Sequence, residues 1–288
     1  MNNIDIFEST ALFCTTSGAG AAYEFAGLGD ENAADKAAVD SIRSVLSMQS
    51  YLRAHIVIGE GERDKAPMLY RGEILGSGGI EVDIAVDPLE CTTSCSKFLD
   101  GALSVVAISE SGGLLESPDV YMEKIAYSSN LPSGILSIEN SCTENIKLLA
   151  AVKGCLPSEL KVMVLNRERH KGIIKELRSL NVRVILIENG DLVGVIRAAL
   201  GEIDLYIGTG GAPEGVLAAV AISCMKGNRN FYCKLQGRIM GVDEIVKKPS
   251  VLSMTAVTDC WGLRGFEKNM CQSVIFTPSC VKRVKSIC

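Results

Sequence analysis

From residue 144 onward, apolar strand patterns alternate with amphipathic helical ones, and few folds accommodate that alternation. A helical stripe over 144–152 stops at Gly154. The β-branched run 161–165 predicts a strand, and a helix over 168–180 turns Ile173, Ile174, Leu177 and Leu180 inward. A second strand, 182–187, ends at Asn189-Gly190. Helix 191–200, strand 204–207 and helix 213–226 complete a βαβαβα run. Such a run implies parallel strands joined by right-handed crossovers, with ligands bound beyond the carboxyl ends of the strands. Arg167, Asn189, Asp191 and residues 208–211 all fall at that end.

Upstream, residues 33–49 carry a helical stripe, and strands are expected near 55–58, 81–87 and 102–109; 119–138 reads as irregular strands. Two of these strands run into acids. In Asp87-Pro88-Leu89-Glu90, two carboxylates three residues apart flank a stiff proline turn. Carboxylates aimed at one small volume repel unless a hard divalent cation joins them. The same residues also read as a capped Asp-Pro turn with Glu90 in solvent. In Gly59-Glu60-Gly61-Glu62-Arg63-Asp64, three acids recur at period two, on one face of an extended chain, and the glycines would let the backbone approach whatever the acids hold. One such cluster alone reads as a solvated loop. Two, each at the end of an apolar strand, resemble an oxygen-ligand site of the two-metal kind.

A third element, Gly208-Thr209-Gly210-Gly211-Ala212-Pro213-Glu214-Gly215, reads as a glycine loop leading from a strand into a helix with proline in its first turn, an arrangement suited to anions. It is neither a Walker loop nor a dinucleotide fingerprint. Glu214 is there either a helix-dipole partner or a further metal ligand.

Taken together, Ile58-Gly59-Glu60-Gly61-Glu62 with Ala66-Pro67-Met68-Leu69-Tyr70, the stretch from Val82 to Glu90, Pro118-Asp119-Val120-Tyr121-Met122-Glu123-Lys124 and Gly210-Gly211-Ala212-Pro213-Glu214-Gly215 resemble the class II fructose-1,6-bisphosphatases, members of the lithium-sensitive, metal-dependent sugar phosphatases. The resemblance runs from about residue 20 to about residue 280. It implies an α/β fold of layered αβαβα type, with a metal-binding lobe over 1–155 and a βαβ sugar-phosphate lobe over 156–288. It implies hydrolysis of the 1-phosphate of fructose 1,6-bisphosphate, in gluconeogenesis, with Mn2+ or Mg2+. Asp35 and Glu60 match ligands of one metal; Asp87, Glu90 and Glu214 match ligands of a second. Thr92 matches the hydroxyl that helps activate the attacking water, with Asp64 and Glu62 as nearby catalytic acids. Glu90, Cys91, Thr92, Tyr121, Arg167, Glu168, Arg169, Asn189, Gly190, Asp191 and Gly211 match positions that hold the sugar bisphosphate. His170 reads as a phosphate-side or surface residue rather than a base. A homo-oligomer, dimer or tetramer, is expected. Sedoheptulose 1,7-bisphosphate is a rival or additional substrate.

Three departures stand out. Cys91 replaces a glycine between Glu90 and Thr92, and Asn189 replaces an aspartate of the sugar-binding turn. The last sixty residues match poorly apart from Gly237-Arg238 and Val274-Ile275-Phe276, with Ser279-Cys280 in place of a Thr-Gly pair, and the chain ends where members usually continue. These departures raise a reading of another class, a homologue that binds sugar phosphate without turning it over. Because the ligand set is intact, retained chemistry is the leading expectation.

Composition sets the outer bounds. A 288-residue chain with 47% hydrophobic residues can bury one large α/β core or two packed lobes. A net charge of −5 without a basic block excludes a nucleic-acid partner but not phosphate, since a bound metal supplies positive charge locally. The first residues lack the basic and apolar regions of a signal peptide, and the longest apolar stretch, near 216–222, is too short for a membrane partner, so a cytoplasmic location is expected. Eleven cysteines without a Cys-x-x-Cys pair read as reduced, mostly buried thiols acting as small hydrophobes.

Overall fold

Helix α1 (Asn3–Tyr23) starts from a reciprocal cap, in which the Asp5 N–H donates to Asn2 Oδ1 at 2.9 Å and the Asn2 N–H donates to Asp5 Oδ2 at 3.1 Å. The computed structural model describes residues 2–60, 68–225 and 229–287. Its contacts divide the chain into two compact units, Met1–Asp119 with Val246–Cys288, and Val120–Ile245.

In the first unit α1 lies against α2 (Glu31–Ser47), which Asp30 caps by accepting the Ala33 N–H at 2.9 Å. Strand β1 (Leu52–Ile58) follows, then β2 (Ile74–Leu75), β3 (Ile80–Glu90), the short helix α3 (Thr92–Ser96) and β4 (Leu103–Glu110). Val82, Ile84, Val86, Val106 and Ile108 are buried together with Phe7, Ala11 and Cys14 of α1. Each large apolar side chain so buried contributes roughly 1.5–3 kcal/mol.

The second unit opens with β5 (Tyr121–Ala126), a regular strand where irregular ones were expected. Helix α4 (Cys142–Lys153) carries a capping box between Ser141 and Glu144 and ends at Gly154 in the left-handed conformation, the stop its sequence announces. After β6 (Lys161–Leu165), a single 3-10 turn at Glu168–His170 precedes α5 (Lys171–Ser179), so the expected helix over 168–180 begins later and with tighter geometry. Then come β7 (Arg183–Ile187), α6 (Asp191–Ala199), β8 (Leu205–Gly211), α7 (Ala212–Ser223), β9 (Phe231–Leu235), β10 (Arg238–Gly241) and α8 (Val242–Ile245). Among the described residues the strands order β10-β9-β5-β8-β6-β7. Pairs β6–β7 and β6–β8 are parallel, as the alternation requires, whereas β5 runs antiparallel to β8 and β9, giving a mixed sheet.

The chain then returns to the first unit as β11 (Ser250–Ala256), β12 (Met270–Phe276) and β13 (Val281–Ile287). There the order is β13-β12-β11-β4-β3-β1-β2 among the described residues. The unit boundaries therefore fall after Asp119 and Ile245, not at 155. Pairing decides this: β5 bonds to β8 and β9, and β11 bonds to β4. The expected α/β class is what the structure has. No described helix is long and apolar enough to cross a membrane.

Candidate active site

Strand β3 carries the acidic pair. In an unbroken strand, residues three apart face opposite sides. Opposite β4, however, Asp87 pairs with Val105 and Glu90 with Leu103, so one extra residue enters the ladder between them. That bulge returns Glu90 to the side of Asp87, and their ligand oxygens lie within 4.8 Å of each other. Asp87 is half-buried and Glu90 buried. Two such carboxylates, converging at a strand end, are a donor set that a hard divalent cation accepts. Asp35, half-buried on α2, and Glu60, half-buried just beyond β1, stand outside this pair. Glu62 and Asp64 lie outside the described residues.

Gly59 works differently from the expectation that it opens the backbone to a ligand. A Cβ there would stand 1.9 Å from the Leu69 carbonyl oxygen, and the Glu60 N–H donates to that same oxygen at 3.0 Å. The glycine thus admits residues 68–70 against the end of β1, which fixes Glu60. Nearby, Glu73 accepts the Leu69 N–H at 2.6 Å and pairs with Arg43 at 2.8 Å.

Cys91 follows directly, with φ 64° and ψ 51°, a left-handed conformation that costs a non-glycine residue roughly 1–2 kcal/mol. Its thiol donates to Glu90 Oε1 at 3.5 Å. Burial, then the charges of Glu90 and Asp87, push its pKa far up, so it stays protonated and is a poor nucleophile. Thr92, half-buried, begins α3. Replacing Cys91→Gly is expected to relieve the backbone, free a Glu90 oxygen and raise catalytic efficiency by about 3–10-fold. It should also lower sensitivity to thiol reagents. Unchanged kinetics and unchanged reagent sensitivity would show that the turn accommodates cysteine at no functional cost. Of the other cysteines, Cys14, Cys95, Cys142, Cys224, Cys233 and Cys271 are buried, as small hydrophobes would be.

In the second unit, Arg167, Arg169, Asn189, Gly190 and Asp191 gather beyond the carboxyl ends of β6 and β7, where the alternation placed them. Tyr121 joins them because β5 runs antiparallel to β8, setting Tyr121 opposite Gly211. The Arg169 guanidinium stacks on the Tyr121 ring at 4.6 Å and donates from Nε and Nη2 to the Thr209 carbonyl, at 2.9 and 2.7 Å. Arg167 Nη2 donates to Asn189 Oδ1 at 2.7 Å. Glu168 is exposed and pairs with Lys171. Both guanidinium groups are oriented by these bonds, which fixes where their positive charge is presented to phosphate.

The glycine stretch is not a loop. Residues 208–211 continue β8, paired along β5 from Tyr121–Gly211 to Lys124–Gly208, and α7 starts only at Ala212. Glu214 lies in the first turn of α7 and is half-buried. Lys124 closes one of the motifs that carry the resemblance but was assigned no role there; its ammonium is buried against Asp191 at 2.5 Å. Its inward place in the alternation Met122, Lys124, Ala126 was the available signal.

His170 is neither surface nor phosphate-side. It is 1% exposed; its Nδ1–H donates to the Leu165 carbonyl and its Nε2 accepts the Thr209 N–H, both at 2.8 Å. This neutral tautomer ties the ends of β6 and β8 together. Burial holds its pKa below the ordinary value; Arg169 and Arg167 push the same way, while the Leu165 bond and Asp191 oppose. Between the lower folded value and the unfolded value near 6.5, the unfolded chain binds more protons, so stability rises with pH. The contribution is complete above about pH 6.5 and is lost as pH falls below it. Thermal unfolding of His170→Asn should lose this slope relative to the parent; an identical slope in both would contradict the role.

The sequence profile described as bacterial fructose-1,6-bisphosphatase, glpX-encoded, matches residues 8–287. The chain belongs to that family. It is 42% identical over 234 residues to the class 2 fructose-1,6-bisphosphatase of Haemophilus influenzae, covering 80% of this chain and 68% of that protein. It is also 42% identical over 240 residues to the D-fructose 1,6-bisphosphatase class 2/sedoheptulose 1,7-bisphosphatase of Thermosynechococcus vestitus, covering 78% of this chain and 66% of that protein. The chain thus spans about two thirds of the length of these curated relatives. Among solved structures, inositol monophosphatase from Anabaena matches with a TM-score of 0.38 at 15% identity, over 71% of this chain and 75% of that one. Membership makes this chain a hydrolase of the phosphatase type and implies dependence on a divalent metal, which suits the Asp87–Glu90 donor pair.

Proposed function

We propose that the chain hydrolyses the 1-phosphate of fructose 1,6-bisphosphate, releasing fructose 6-phosphate and phosphate, as a cytoplasmic enzyme of gluconeogenesis. The observation that carries this is the Asp87–Glu90 pair, turned to one side by a bulge in β3, in a chain of the bisphosphatase family. Asp87, Glu90 and Glu214 would hold one divalent ion, and Asp35 and Glu60 another, Mg2+ or Mn2+ suiting an all-oxygen donor set. Bound there, the ions supply charge compensation for the phosphoryl oxygens.

The chain's own groups do the rest. Arg167 and Arg169 bind phosphate, Arg169 with its fork already anchored on Thr209 and Tyr121. Asn189, Gly190 and Asp191 hold sugar hydroxyls, Gly211 and Tyr121 border them, and Glu90, Cys91, Thr92 and Glu168 complete the substrate set. Thr92 Oγ1 orients the attacking water, whose proton passes to Asp64 or Glu62. Phosphoryl transfer asks for little more than such positioning and electrostatic complementarity. A homo-oligomer, dimer or tetramer, accords with the family resemblance.

A second reading, use of sedoheptulose 1,7-bisphosphate as well, is favoured by relatives named for both activities. Turnover of the two bisphosphates should be compared with Mn2+, with Mg2+ and with chelator. Metal-dependent release from fructose 1,6-bisphosphate is expected. Comparable release from the seven-carbon substrate would establish dual use, and release from neither would overturn the assignment.

A further inference from the structure

Lys124 occupies an inward position of β5, 1% exposed, where its strand neighbours on that face are Met122 and Ala126. Its Nζ donates to Asp191 Oδ2 at 2.5 Å, and Asp191, 5% exposed, is the first residue of α6. Two glycines of the 210–215 stretch make room for this pair. A Cβ at Gly210 would stand 2.0 Å from Asp191 Oδ2 and 3.2 Å from Lys124 Nζ; one at Gly215 would stand 3.1 Å from Lys124 Cε. Two of the glycines that resembled an anion loop, Gly210 and Gly215, therefore cradle an ion pair.

Stability alone does not account for the pair. Burying two charges costs desolvation that their attraction roughly offsets, and apolar residues of like volume usually serve as well or better. What an ammonium does, and an apolar side chain cannot, is hold a carboxylate in one orientation at the start of α6. A carboxylate offers about four acceptor directions; Lys124 takes one, and the buried Tyr206 hydroxyl faces Asp191 as well. We propose that Lys124 is a positioning residue for the sugar-binding turn 189–191, fixing the Asp191 carboxylate so that its remaining acceptors meet the hydroxyls of the sugar phosphate. The proposal rests on the reading of Asp191 as a sugar-binding residue.

The test is a double-mutant cycle on fructose 1,6-bisphosphate hydrolysis, with thermal unfolding measured alongside. Lys124→Met and Asp191→Asn should each raise KM by about 10–100-fold, the value of a hydrogen bond to a charged group, with kcat changed by no more than about three-fold. If Lys124 acts through Asp191, the double variant should have the KM of Asp191→Asn alone. Multiplying effects would overturn the proposal, because Lys124 would then act independently. Should Lys124→Met fail to fold, with its buried aspartate left uncompensated, comparing Asp191→Asn with the double variant decides the same point: equal KM supports positioning, and a further rise rejects it. A parent protein that turns over the substrate, with KM unmoved in Lys124→Met, would reject positioning while leaving the enzymatic reading intact. A parent inert on fructose 1,6-bisphosphate would overturn the enzymatic reading and this proposal with it.

Discussion

Asp87→Ala is expected to lower kcat/KM for fructose 1,6-bisphosphate by about a thousand-fold or more, since loss of one carboxylate from a metal site removes several kcal/mol of transition-state stabilisation. Affinity for Mn2+ should fall by at least about 100-fold, more than the loss of an indirect partner causes. The fold should survive. Asp87 and Glu90 present like charges within 4.8 Å, so removing one relieves repulsion in the metal-free protein. Unfolding without metal should therefore occur at or above the parent temperature, and the stabilisation that added Mn2+ gives the parent should be lost. Full activity in this variant would reject the assignment of the pair.

The second large effect is expected at Gly59. Alanine there meets the Leu69 carbonyl oxygen at 1.9 Å and Ile56 Cγ2 at 2.8 Å, and the first of these is backbone already engaged by the Glu60 N–H. Residues 68–70 must move away from β1 and take the anchor of Glu60 with them. Overpacking of this kind costs roughly 1–3 kcal/mol. A misplacement of about 1 Å near reacting groups costs on the order of 100-fold in rate. Gly59→Ala should thus unfold several degrees earlier and need higher Mn2+ for half-maximal activity. An unaltered unfolding temperature with an unaltered metal response would show that Glu60 is placed by other contacts.

How much was legible in the sequence differed with the kind of signal. The βαβαβα run was, because amphipathic helices such as α5 and stops such as Gly154 are local features. Helix α1 was not. It buries Thr10, Thr15 and Thr16 beside alanines, and Thr15 bonds Ser253 and Thr255 of β11 at 2.8 Å. A helix whose inner face is satisfied by hydroxyls lacks the apolar stripe that announces one. Residues 208–211 were misassigned because glycine signals a turn wherever it appears, while here Gly208 yields space to His170, Gly210 to Asp191 and Lys124, and Gly211 to Glu214. The division into units was hidden for a similar reason: β11 pairs with β4 across more than a hundred residues of intervening chain, and no local pattern records such a pairing.

The acidic site was legible as composition but not as geometry. Asp87 and Glu90 at a spacing of three would diverge on a regular strand, and only the extra residue opposite β4 makes them converge. At Cys91 the family resemblance implied a glycine, and the positive φ is the physical reason for one.

If this chain is a sugar bisphosphatase, it removes one phosphate of the pair and leaves the other on the sugar. Phosphorus NMR of fructose 1,6-bisphosphate incubated with the protein and Mn2+ tests this most directly. The 1-phosphate resonance should disappear as inorganic phosphate grows, the 6-phosphate should persist, and chelator should stop the change. Calorimetric binding of the bisphosphate by the metal-loaded protein, with both resonances intact after prolonged incubation, would contradict this and mark the chain as a sugar-phosphate binder without turnover.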